Sequence, residues 1–562
     1  MKRNSLLLLL LIFLIGAILR FYQLGAIPDG FFRDEAFLSY NAYSILKTGM
    51  DMSGNFLPLH LESFLYSPAG YSYFSIPFIF LFGLNEFSSR FASAFFGSLT
   101  VIISYFLVLE LFYKAKEKEV LALLTALFVA VSPWNIILSR TATENVVVVF
   151  FIALGTYLFL ISLRKNKIIF LCLGFISFLI TMFTYQAPRS FLPLFIPLLL
   201  IIFLYKRFNS IYFKLSSILY LVFIILPVLY VIFSPTLSTR IKTLSVFNYP
   251  ETKAELGQSY RAEGVSHVPL LISRVFHNKV TGYSSEIIKN YFNHFSYDFL
   301  FTDSYLPDRY QIPNHGLLYL FDIPLLLVGV WEIIGKKKKE GLFLIGWVLL
   351  SPIGSSLTFD DVPNMQRTLI MFPALSIISA IGFLAIYNFV KRKKLLVGIS
   401  VIILVFSVSY FSLQYFVDSQ YFRPWYRQGG YRQLVSEVNI LLPKYKYAVI
   451  TNRETAPTIF FLFYDKYDPK LFQEETKNLN KVQTDSMDFG KYVFSSEQCP
   501  LRVELGSNGK PKLVGEEGLL YVDSGLCQPQ KGLNYISTIY RKDGSTVFRL
   551  VDYRGGNIAQ NE

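Results

Sequence analysis

SLLLLLLIFLIGAILRFY, residues 5–22, is followed after a short linker by Gly30-Phe31-Phe32-Arg33-Asp34-Glu35-Ala36-Phe37, and this pairing sets the reading of the whole chain. The first piece has the length and apolarity of a bilayer-crossing helix. The second places an arginine and two adjacent carboxylates, flanked by aromatics, at the membrane–water boundary. Ionisable groups are costly there unless they pair, bind or react. A solvated acidic turn ahead of an interfacial helix explains the same residues more plainly. The positions of the other unusual residues decide between the two.

The 562 residues are 53% hydrophobic and 17% aromatic, with only 16% charged, and mean hydropathy is +0.43. The apolar residues fall in blocks of roughly 17–25 rather than in a 3.6 or 2.0 period, as in a polytopic α-helical membrane protein. The net charge of +14 lies in short Lys/Arg runs between alternate blocks. No single basic face tracks a phosphate backbone, so nucleic acid is excluded as a partner, and the positive-inside rule accounts for the runs. Three cysteines provide neither metal-ligand spacing nor a redox motif.

Lys2 and Arg3 precede the first block, which predicts a cytoplasmic N-terminus. No small-residue cleavage site follows the apolar core, and Arg20 stands there instead. The Asp34-Glu35 pair then emerges on the outer side. The next apolar run, Tyr66 to Phe82, would deliver Lys114, Lys116 and Lys118 outside if it spanned, and it contains Pro68, Gly70 and Pro77. It reads as interfacial or re-entrant, within a first outer loop over 23–88. Ten further helices are expected over 89–112, 120–136, 144–163, 168–185, 190–205, 213–233, 316–334, 341–357, 368–390 and 395–416. About eleven spans would leave the C-terminus outside the plasma membrane.

Two domains follow: a transmembrane catalytic domain over 1–417, carrying a large outer loop at 234–315, and an extracytoplasmic α/β domain over 418–562. The second is expected to hold helices near 431–442 and 457–464 and strands near 447–451, 491–495, 518–523 and 547–551. Cys499 and Cys527 lie on its oxidising side, where a disulfide is expected.

Polar residues collect at the predicted outer turns. The first loop supplies Asp34, Glu35, His60, Glu62 and Tyr66. The turn after the third span runs Ser139-Arg140-Thr141-Ala142-Thr143-Glu144-Asn145, and that after the fifth Thr184-Tyr185-Gln186-Ala187-Pro188-Arg189. Asp360, Asp361, Asn364, Gln366 and Arg367 precede the tenth. Each has an ordinary explanation. Arg140 and Arg189 fit snorkelling helix ends, Glu144 a helix N-terminal acid, and Arg90 a partner for Glu86 one turn back. Asp322 and Glu332 sit near block ends and read as structural, and His60 has no ligand spacing. Together, however, acids and arginines recur at the outer rim while the span centres are nearly uncharged. A coupled transporter would instead place such groups at the midplane. Arginine matches phosphate oxygens, and a carboxylate suits proton removal from an attacking hydroxyl, so the rim fits chemistry on a lipid-borne phosphosugar.

On these residues the chain resembles the GT-C glycosyltransferases, in the protein O-mannosyltransferase and aminoarabinose-transferase branch. The resemblance rests on Asp34-Glu35 after the first span, Pro68-x-x-Tyr71, Glu86–Arg90, Ser139-Arg140…Glu144, and Arg367 ahead of a Pro-containing helix, and it covers roughly residues 1–390. It implies an inverting transferase that takes a sugar from a polyprenyl-phosphate donor. Asp34 would be the general base supported by Glu35, and Glu144 a second acidic site. Arg90, Arg140 and Arg367 would approach the donor phosphate, with Arg189 and Tyr185 at the same rim. Tyr66, His60 and Glu62 would shape the acceptor side. The sequence departs at Tyr66-Ser67-Pro68, where many relatives carry a lysine. A divalent metal is left open, since family members differ. Expected partners are the donor, an acceptor glycan, lipid or protein, and membrane lipids. A lipid-linked glycan flippase or a glycan polymerase or ligase shares the topology.

Overall fold

The computed structural model describes residues 3–62, 67–302, 304–477, 485–505, 511–530 and 533–553; Tyr66 lies outside them. The chain forms two compact units. One comprises 1–22, 93–139 and 143–412; the other comprises 23–92, 140–142 and 413–562.

Helices α1 (Arg3–Phe21), α2 (Arg33–Thr48), α3 (Gly70–Phe82), α4 (Glu86–Leu111), α5 (Lys118–Val131), α6 (Pro133–Ser139) and α7 (Glu144–Lys165) open the chain. Among the described residues six helices are long and apolar enough to cross a membrane: α1, α4, α7, Ile211–Phe233, Met365–Phe389 and Lys393–Gln420. The pair α5 and α6, bent by 52°, makes a seventh. The molecule is therefore a multi-pass helical membrane protein. Eleven uniform spans are not seen by this measure, because Ile168–Thr184 and Pro188–Leu204 are only 17 residues long, and Asp322–Lys336 and Lys339–Leu350 only 15 and 12. Helix α3, at 13 residues with an internal Pro77, has the shortness expected of an interfacial or re-entrant segment.

The expected third span, 120–136, breaks at Ser132-Pro133. Proline has no N–H and its ring clashes with the carbonyl one turn back, so carbonyls of the preceding turn lose helical partners. In an apolar interior each must find another. Arg20, fully buried on α1, donates to the carbonyls of Ala130 (2.8 Å) and Val129 (3.0 Å) and to Asn135 Oδ1 (2.6 Å). Tyr319 Oη donates to the Val131 carbonyl (2.8 Å). Beyond the break, the Trp134 N–H donates to Leu317 (3.1 Å) and its indole N–H to the Met365 carbonyl (2.9 Å). Elsewhere in this unit, Asp322–Lys336 packs on Phe372–Phe389 through Gly329 and Gly382, where an added Cβ would run into the facing carbonyls of Ile378 and Leu325.

In the other unit α2 packs against the tail, sharing a core in which Phe31 and Tyr40 sit with Tyr431, Phe460, Phe463 and Phe548. A two-residue ladder joins β1 (His60–Leu61) to β2 (Ser67–Pro68). The tail strands are β3 (Ala448–Thr451), β4 (Tyr492–Ser495), β5 (Arg502–Leu505), β6 (Pro511–Val514), β7 (Leu520–Ser524), β8 (Asn534–Tyr540) and β9 (Thr546–Asp552). The main sheet runs β4-β3-β7-β9-β8. Its β3 pairs in parallel with β4 and β7, and β9 is antiparallel to β7 and β8. Helices Tyr431–Leu441 and Pro457–Tyr464 and strands β3, β4, β7 and β9 stand where the sequence put them. The hairpin β5–β6, strand β8 and helix Pro469–Glu475 were not anticipated. Strand β8 is a half-exposed edge with no clean apolar alternation. Cys499 and Cys527 are joined, with Cα atoms 5.6 Å apart.

Replacing Arg20 with methionine should strand two buried carbonyls at about 1–3 kcal/mol each. A fall in thermal midpoint of many degrees in detergent is expected, while Lys289→Met, at an exposed lysine within one helical turn of Glu286, should change the midpoint far less.

Candidate active site

The site is built from the N-terminus of α2. Phe32 is its N-cap, and Glu35 reaches back to accept the Phe32 N–H at 3.3 Å. The other Glu35 oxygen accepts Arg90 Nε (2.9 Å) and the Ala142 N–H (2.8 Å), and Arg90 Nη2 comes to 3.2 Å of the first. Arg90 spends its remaining donors on the carbonyls of Leu24 (3.3 Å), Pro28 (3.1 Å) and Gly30 (2.7 Å). The Arg90 and Glu35 side chains are 1% and 6% exposed. Asp34, by contrast, is 66% exposed, with Arg33 Nε 3.9 Å away. It lies in the first turn of α2. A solvent-facing carboxylate thus stands on a frame fixed by a buried ion pair.

Sequence reasoning paired Arg90 with Glu86 one turn back; the structure pairs it with Glu35, and Glu86 with Arg432 of the tail. The turn after α6 lies in the same unit: Arg140 Nη2 donates to the Ile27 carbonyl (3.0 Å), and its guanidinium lies 4.7 Å from the Phe416 ring centroid. Arg140 and Arg90 are both buried and turned onto backbone carbonyls of the loop that leads into α2. His60 sits in β1, and Glu62 accepts from Asn55 Nδ2 at 3.4 Å. Asn55 in turn is held by Asp51, whose carboxyl burial pushes above its ordinary range, with Glu62 adding to the rise.

The remaining predicted residues belong to the other unit. Glu144 opens α7, and its neighbour Asn145 donates to the Gln366 carbonyl at 3.0 Å. Gln366 Nε2 donates to Tyr310 Oη (2.9 Å), and Arg309 Nη2 reaches Gln366 Oε1 (3.3 Å) and Asp361 (3.9 Å). Arg309 was missed; its signal was the Asp308-Arg309-Tyr310 run, another acid–arginine–aromatic cluster in a connection between apolar helices. Arg367 donates to Thr358 Oγ1 and the Asp360 carbonyl (both 2.7 Å) and pairs with the Asp360 carboxylate at 3.2 Å. Asn364 caps that turn, accepting the Gln366 and Arg367 N–H groups. The Asn364 N–H itself donates to His294 Nε2 (3.2 Å), while His294 Nδ1–H donates to the Asn290 carbonyl (2.7 Å). Arg189 Nε donates to the Met182 carbonyl (3.0 Å), and Tyr185 is buried at the end of its helix. Among the described residues no group of three or more His, Cys, Asp or Glu is arranged to hold a metal ion.

Two outcomes follow from this geometry. Glu35→Gln should leave Arg90 as a buried, unpaired cation, costing about 3–5 kcal/mol of stability; Asp34→Asn, at an exposed position, should leave the thermal midpoint within a degree or two. Burial pushes His294 down to about 4, with Arg367 adding to the fall. Its neutral form is the folded one, so the unfolded chain binds more protons between pH 4 and its ordinary 6.5. Stability should rise with pH across that window, and His294→Gln should flatten the slope measured by thermal melts at stepped pH.

Residues 10–239 match the model of the dolichyl-phosphate-mannose-protein mannosyltransferase family. A comparison with curated proteins finds no match. Among solved structures, ArnT from Cupriavidus metallidurans in the apo state is similar at 12% identity and TM-score 0.49, over 96% of this chain and 97% of that one. The Archaeoglobus fulgidus oligosaccharyltransferase AglB, in complex with an inhibitory peptide and a dolichol-phosphate, is similar at 13% identity and TM-score 0.47, over 82% of this chain. The chain spans only 64% of that archaeal protein's length. The stretch that this family model matches, residues 10–239 of the 562, contains Asp34-Glu35, Glu86–Arg90 and Arg140…Glu144.

Proposed function

We propose that this protein is an inverting glycosyltransferase that moves a sugar from a polyprenyl-phosphate donor to an acceptor hydroxyl at the outer face of the membrane. The observation that carries the reading is the exposed Asp34 carboxylate standing one residue from the buried Glu35–Arg90 pair, in a stretch that the family model covers. Asp34 takes the proton of the acceptor hydroxyl as its oxygen attacks the anomeric carbon in line. The bond from that carbon to the phosphate oxygen breaks, and the polyprenyl phosphate leaves with the electron pair. Glu35 does not share the proton: it receives four N–H donors and fixes the helix that presents Asp34.

Arg90 and Arg140, turned onto loop carbonyls, are positioning residues for the same loop. Arg189 and Arg367 are the candidates for the donor phosphate, since a planar guanidinium meets phosphate oxygens two at a time. Glu144 is the second acidic position, and His60, Glu62 and Tyr66 form the acceptor side. The path through the membrane has eleven crossings, the shorter apolar helices included, with a cytoplasmic N-terminus and the 418–562 domain outside.

Asp34→Asn in purified protein, supplied with a polyprenyl-phosphate sugar and an acceptor, should lower transfer by about 10²–10⁴-fold while leaving the co-purified lipid seen by mass spectrometry unchanged. Undiminished transfer would remove Asp34 as the base.

A further inference from the structure

We infer that the segment Val265–Val280 of the large outer loop lies in the outer leaflet of the bilayer, as a lipid-facing anchor rather than a solvated connection. The short helix Leu270–Phe276 shows why. Leu270, Leu271, Ile272, Val275 and Phe276 are all exposed, with Leu271 at 77% and Phe276 at 66%, and Val280 follows at 74%. Ser273 alone in that helix is buried. It donates to the Glu263 carboxylate, which also receives His277 Nδ1, so one acid tethers the helix to its neighbour while its apolar side chains stay uncovered. So much apolar surface is unfavourable in water and calls for a covering phase.

Three observations favour a lipid leaflet as that phase. The stretch from Gly264 to Ser285 contains Arg274 and Lys279 but no Asp or Glu, a balance that suits anionic lipid headgroups. The next helix, Lys279–Asn293, is fixed at the end of an apolar helix: Tyr291 Oη donates to the carbonyl of Leu349, the penultimate residue of Lys339–Leu350. Leu349 and Phe292 are themselves exposed apolar residues, so the uncovered surface continues onto the helix bundle. The loop is also entered from Ile211–Phe233, a candidate span whose last residue, Phe233, is 77% exposed.

The test uses the full chain in nanodiscs holding one copy each, with Cys172→Ser as background. Single cysteines at Leu271 and Phe276, and at Lys253 on the polar helix Pro250–Val265, are labelled with an environment-sensitive fluorophore. Lipids spin-labelled near the top of the acyl chain should quench the labels at 271 and 276 at least about threefold more than the label at 253, as for a helix buried to the headgroup–acyl boundary. Labels at 271 and 276 that emit as in water would overturn the inference. So would labels that are shielded yet unquenched by the lipids, since that result would mean a protein covering.

Discussion

One buried ion pair organises the candidate site. Arg90 has five N–H donors in a fixed plane, and the structure directs them to two oxygens of Glu35 and to the carbonyls of Leu24, Pro28 and Gly30. Glu35 in turn accepts from the start of its own helix and from Ala142. A single pair thus ties together the chain leaving the first apolar helix, the beginning of α2, the first turns of α4 and the turn after α6. Burying two charges is unfavourable unless the remaining hydrogen-bonding capacity is met. Here it is met almost entirely by backbone, so the cost of burial is offset by fixing the loop. Asp34 can stay exposed because its neighbour Glu35 carries the structural load.

The same accounting explains the break in the third expected span. A proline in a helix surrounded by apolar side chains releases carbonyls that water cannot reach. Arg20 and Tyr319 meet the three carbonyls from Val129 to Val131, and two of those bonds come from a side chain on α1. An arginine near the end of an apolar helix reads from sequence as a boundary marker. In the fold it is a plug for another helix's backbone.

This contrast shows what could be read in advance. Apolar blocks, basic runs and the order of acid–arginine turns depend on local composition, and they anticipated the long apolar helices and most elements of the tail. Which arginine meets which acid depends on contacts far apart in sequence. Spacing favoured Glu86 for Arg90 because the two are one helical turn apart; the chosen partner, Glu35, is 55 residues away, and Glu86 meets Arg432, 346 residues away. Arg309 escaped notice because its loop has no apolar period to frame it, and β8 because an edge strand needs no alternating pattern.

The arginines also divide by what they touch. Arg20, Arg90 and Arg140 are wholly buried and donate to main-chain carbonyls of apolar or loop segments. Each is the cheapest way to satisfy several oxygens at once where water is excluded. Arg367 instead faces a carboxylate and a hydroxyl on its own loop, and the Asp360 side of that pair is nearly half exposed. An exposed carboxylate is an exchangeable partner: another anion can replace Asp360 without leaving a buried carboxylate behind, whereas displacing Glu35 from Arg90 would leave one. The arginines thus fall into two sets, those sealed onto main-chain carbonyls and loops, and Arg367, whose acidic partner reaches water.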